Sequence, residues 1–82
     1  MVEKLNKKRL EKYIEITKKT LESAKKIKRT SDKAAQILDT AKRYYEDALF
    51  FLKKEKLVDS FACINYAQGW LDAGIKTGIL KV

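Results

Sequence analysis

Histidine and proline are absent from this chain, and cysteine and tryptophan occur once each. Without histidine there is no His-based triad, no His metal cluster and no imidazole general base. The single Cys63 excludes an internal disulfide and any multi-cysteine zinc site. The three glycines, Gly69, Gly74 and Gly78, sit close together near the end of the chain, so no glycine-rich phosphate loop can form. No stretch approaches the ~20 apolar residues of a membrane-spanning helix. Residues 1–7 lack the apolar core of a secretion signal. Cytoplasmic residence is therefore the expectation, with no membrane partner. No cofactor is expected either. Asp39, Glu46 and Asp47 gather carboxylates on one predicted helix, but nothing sets matching Glu residues opposite them, as a di-metal bundle requires. An enzyme is not expected.

What is present is one domain's worth of amphipathic helix. The 82 residues are 45% hydrophobic and carry 19 Lys/Arg against 11 Asp/Glu, a formal charge of +8. That charge is unevenly placed: residues 1–33 hold 12 basic against 5 acidic side chains, residues 34–56 hold 5 against 4, and residues 57–82 hold 2 against 2. The basic character belongs to the first third and the apolar character to the last.

Apolar spacing is helical throughout, with no period-two alternation. It predicts three helices over about 3–28, 32–54 and 58–77. Their seams are Leu10, Ile14, Thr17, Leu21, Ala24 and Lys28; Ala34, Leu38, Ala41, Tyr45, Ala48 and Leu52; and Leu57, Phe61, Ile64, Gln68, Leu71 and Ile75. All three step by four and three, the pattern of near-parallel helices crossing at ~20°. An up-down-up antiparallel three-helix bundle stacks these seams into layers such as Ile14/Ala48/Phe61 and Leu21/Ala41/Gln68. Large residues then face small ones, as close packing demands. A single long hairpin, with the first two helices continuous, is the structural alternative.

The boundaries carry few signals. Thr30 or Ser31 can cap the second helix. The turn at 54–57 has neither Gly nor Pro and is inferred from the change of phase. Gly78 suits a left-handed cap on the third helix, closed by Ile79 or Leu80 packing back. Gln68 occupies a seam position where a buried amide needs a partner, and Tyr45 or Thr17 is expected to supply it.

The third helix is apolar on a second side. Tyr66 and Trp70 lie opposite its seam, one turn apart among alanines, with Cys63 nearby; Phe50 points away from the seam of the second helix, and Tyr44 and Phe51 border it. Tyr and Trp are over-represented at binding hot spots. Three coverings compete for this face: the tail from Ile79 to Val82, a second copy of the chain in a homodimer, or a different protein. Beside it run Asn65 and Asp72, two turns apart, with Gly69 between them offering close approach. The plain alternative for Asp72 is a loose ion pair with a lysine of the first helix. A competing functional reading is nucleic-acid binding through Lys25, Lys26, Lys28 and Arg29. Glutamates interrupt the basic clusters, however, and no aromatics interleave with them to stack bases.

The segment Ala62-Cys63-Ile64-Asn65-Tyr66-Ala67-Gln68-Gly69-Trp70-Leu71-Asp72-Ala73-Gly74 resembles the closing motif of an archaeal family catalogued as domain of unknown function 357. The stretches at 45–52 and 59–62 are similar to it as well. The resemblance implies a compact three-helix domain and supplies no activity. A more distant similarity is to a helical family that includes toxin ribonucleases. Those carry an Arg and a His four residues apart near the last helix, and this chain has no histidine.

Overall fold

The structure is a computed structural model and describes residues 6–25 and 31–80. Three helices follow in order: α1 (Lys7–Lys25), α2 (Asp32–Lys53) and α3 (Leu57–Lys76). They form the expected all-α bundle. Tyr13 of α1 meets Phe61 of α3 edge-on at 5.5 Å, near the start of both helices. Leu21 and Leu71 share a core cluster further along. Helices α1 and α3 are therefore parallel, and α2 runs antiparallel to both.

Polar side chains close the helix ends. Asn6 lies within the expected span of the first helix but caps it instead: its Oδ1 accepts from the Lys8 N–H at 2.9 Å. Short polar side chains compete for backbone donors in this way and so favour caps over helix interiors. Ser31, not Thr30, caps α2; its Oγ accepts from the Ala34 N–H at 3.1 Å. The α2–α3 turn is made without glycine. Glu55 adopts φ 59°, the Glu55 N–H donates to the Leu52 carbonyl and the Lys56 N–H to that of Phe51. This is the paired bonding of a Schellman cap.

The α1 seam is buried as predicted from Leu10 to Ala24; Lys28 lies outside the described residues. On α2, Ala34, Ala41 and Ala48 are buried, while Leu38, Tyr45 and Leu52 are half-buried. On α3 the buried line is rotated from the expected seam. It runs Ser60, Ile64, Ala67, Leu71, Gly74, whereas Leu57, Phe61, Gln68 and Ile75 flank it. The cause is residue size. The alanines of α2 and the small residues of α3 let these two backbones approach closely, and the larger side chains are displaced toward α1. Ser60 is buried because its hydroxyl donates to the Ala48 carbonyl at 2.6 Å, satisfying it across the helix pair.

Gln68 does not pair with Tyr45 or Thr17. Its amide donates to the Tyr13 carbonyl at a long 3.5 Å. The Thr17 hydroxyl is already committed to the same carbonyl, at 2.9 Å within its own helix.

Candidate docking surface

Helix α1 covers only one side of the α2–α3 pair. Its Lys18, Leu21 and Glu22 line a groove with Lys42, Tyr45 and Glu46 of α2. Its Ile16, Thr17 and Thr20 line another with Gln68, Leu71 and Asp72 of α3. The other side of the pair carries one stripe from each helix. On α2 it is Lys33, Ile37, Thr40, Tyr44, Asp47 and Phe51; on α3 it is Asp59, Cys63, Tyr66, Trp70, Ala73 and Thr77. Both advance by the four-and-three steps that keep residues on one face of a helix.

The middle of this face is apolar and only half covered. Trp70 is 43% exposed and Tyr66 60%. The Tyr66 ring leans on Tyr44 of α2 with centroids 5.3 Å apart and planes at 32°, so the two helices share one aromatic surface. Ile37, Tyr44, Phe51 and Cys63 are half-buried beside it. Asn65, Tyr66, Gly69, Trp70 and Ala73 line a shallow groove of about 350 Å³ on the outer flank of α3.

Ile79 and Leu80 pack on the core cluster around Leu21 and Leu71; Lys81 and Val82, the rest of the tail expected over Trp70, lie outside the described residues. Gly78 takes φ 78° and turns the chain, the Leu80 N–H donates to the Gly74 carbonyl at 2.9 Å, and the Leu80 side chain is buried in the core with Leu21, Ala34, Ala41 and Leu71. The left-handed cap at Gly78 and its closure by Leu80 are as the sequence suggests. Their destination is the core between α2 and α3, not the indole.

The structure divides the remaining predicted site residues. Asn65 and Gly69 adjoin Tyr66 and Trp70, whereas Asp72 lines the groove against α1. No ion pair within 4.0 Å joins Asp72 to a described lysine side chain of α1. Phe50 is 55% exposed but stands apart, edge-on to Phe51 with the Lys54 ammonium 5.5 Å from its ring centre. The end of α1 brings Lys25 into the helix; Lys26, Lys28 and Arg29 lie outside the described residues. Sequence reasoning missed Ile37 and the continuity of the α2 stripe. The signal was there: a second set of four-and-three steps runs beside Ala34, Ala41 and Ala48.

Electrostatics on this face concern Cys63. Burial pushes its thiol up from the ordinary value, and the carboxylates of Asp47 and Asp59 push it further. The thiol is thus held protonated, the opposite of an activated nucleophile. Among the described residues, no group of three or more His, Cys, Asp or Glu side chains is placed to hold a metal ion.

The chain belongs to the family described as protein of unknown function DUF357, whose model matches residues 12–80. The match spans all of α2 and α3, including both stripes of the open face and the Gly78–Leu80 closure. No curated protein matches the chain. None of the described DUF357 helices is long and apolar enough to cross a membrane.

Proposed function

We propose that this DUF357 chain is a non-enzymatic helical docking module, whose working surface is the side of the α2–α3 pair that α1 leaves open. Trp70 and Tyr66 are its anchors, Tyr44, Ile37 and Phe51 its floor, and Asn65 and Gly69 its rim. One observation carries the reading: an indole and a phenol, 43% and 60% exposed, sit on an apolar surface continuous across two helices, with the described tail turned away from it. Exposed apolar patches of this kind mark contact sites more often than bare surface. Aromatic anchors supply large contact area for little conformational entropy. The protonated Cys63 and the absence of histidine favour contact over chemistry.

A photo-activatable phenylalanine analogue placed at Tyr66 tests this in the producing cells. Irradiation should give a discrete covalent protein adduct from position 66 and none from the same analogue at exposed Lys19 of α1. Adducts of equal yield at both positions, or none at 66, would remove the docking reading.

A further inference from the structure

We infer that the occupant of the open face is a second copy of the same chain, paired antiparallel about a two-fold axis that passes at Trp70. The inference rests on the docking reading above and adds the partner and its register.

Charge favours this pairing. Within the α2 stripe the only charged positions are Lys33 at the start and Asp47 about four turns later, with Asp59 of α3 at the same end as Asp47. All three are exposed. The face is basic at one end, acidic at the other and uncharged between. A two-fold axis lying in the interface and perpendicular to the helices reverses a copy end for end. It sets Lys33 against Asp47 of the partner copy, and Asp47 against the partner copy's Lys33, in one arrangement. Such reciprocal complementarity is what an isologous contact requires. A parallel pairing would instead set like charges together.

The helix register agrees with the charges. The midpoint of Lys33 and Asp47 is Thr40. Two contacts fix which part of α3 lies beside it. Ser60 bonds the Ala48 carbonyl, and the Gly74 Cα faces Ile37, whose Cγ2 lies 3.3 Å from where a β-carbon would stand. Interpolating between those two levels places Trp70 beside Thr40. The axis chosen by the charges is therefore the axis that brings the two indoles together at the centre, where binding energy concentrates. One turn away, Tyr66 comes over Ala73 of the other copy, a large ring against a small residue.

The face is also large enough for a dimer. Two helices of about 30 Å, spaced about 9 Å apart, present on the order of 600 Å² in projection. That falls at the lower end of the ~600–1,000 Å² per partner of a stable complex, and a corrugated surface buries more than its projection.

Sedimentation equilibrium on the full chain, from micromolar to about millimolar, tests the inference. Wild type should move from 9.5 kDa toward twice that mass. Trp70→Ala should weaken association at least about tenfold, as expected of a central aromatic anchor. Lys33→Glu and Asp47→Lys should each weaken it, and the double variant should recover it, because the swapped charges meet again across the axis. Lys33 and Asp47 are exposed, so circular dichroism should show every charge variant folded. A wild type that stays monomeric throughout overturns the second copy, while the adduct at position 66 still decides the docking reading separately. A dimer indifferent to both charge reversals, or one that the double variant fails to restore, overturns the antiparallel register.

Discussion

A β-carbon at Gly74 would stand 2.6 Å from Leu80 Cδ1 and 2.8 Å from Leu80 Cγ, well inside van der Waals contact. The absent side chain is therefore the seat of Leu80, and the pair joins the end of the chain to the core. Helix propensity favours alanine over glycine by up to ~1 kcal/mol in a helix interior, but displacing a buried leucine costs about 2–5 kcal/mol when the site cannot refill. Packing wins. Gly74→Ala should lose stability in urea unfolding, by about 1–3 kcal/mol after that offset. In a Leu80→Ala background the same change should be neutral or favourable, because the clash is gone. A double-mutant cycle reads the coupling directly, and additive losses would show that Leu80 does not occupy this seat. Ser60 illustrates the same scale of control. Its hydroxyl's bond to the Ala48 carbonyl lets a polar side chain lie fully buried between α2 and α3.

At the scale of elements, the turns explain why boundaries were less legible than helices. The α2–α3 turn has a left-handed residue, but that residue is Glu55, so the usual glycine signal is missing. Left-handed backbone costs a non-glycine residue roughly 1 kcal/mol or more. Glu55→Gly should therefore stabilise the fold by about 0.5–1 kcal/mol, the relief being reduced by the greater freedom of glycine in the unfolded chain. A rise in the urea midpoint at unchanged slope is the expected result; a fall would mean that the Glu55 side chain contributes something its exposed position conceals. The rotation of α3 has a different origin. Periodicity counts large apolar residues, and it located the flanks of the interface, Phe61, Gln68 and Ile75. The innermost line includes the small residues Ser60, Ala67 and Gly74, which hydropathy barely registers.

For the whole molecule, pH reports how α1 closes the bundle. Tyr45 sits in the α1–α2 groove, where burial raises its pKa; Glu15 and Glu22 add to the shift and the Lys18 ammonium opposes it. Cys63, on the open side, is also raised. In both cases the unfolded chain gives up the proton first, so it binds fewer protons than the folded chain and stability falls as pH rises. Their contributions are complete below the ordinary values of 9.0 for the thiol and 10.0 for the phenol and are lost above them. Urea midpoints should hold steady through neutral pH and decline from about pH 9 upward. Tyr45→Phe should make the decline above pH 10 shallower, and an unchanged profile in that variant would show that Tyr45 is as solvated as a free tyrosine. The same view shows a molecule of two layers, a basic helix laid on a weakly charged pair, with nothing among the described residues on the pair's far side.

The sequence by itself determined the helical class, the three elements, the α1 seam and the exposure of Tyr66 and Trp70, because these follow from the periodic placement of large apolar and charged side chains along a single helix. It also set Gly78 as the turning point, since a left-handed cap is a local requirement. Tertiary structure alone decided which residues are innermost. That depends on how closely two backbones can approach, a property of pairs of small residues far apart in the chain, such as Ala48 with Ser60 and Ala67. It alone sent Leu80 to the core, gave Gln68 the Tyr13 carbonyl, and joined the α2 and α3 stripes into one surface. Each of these outcomes depends on the distance between elements, which no single helix encodes.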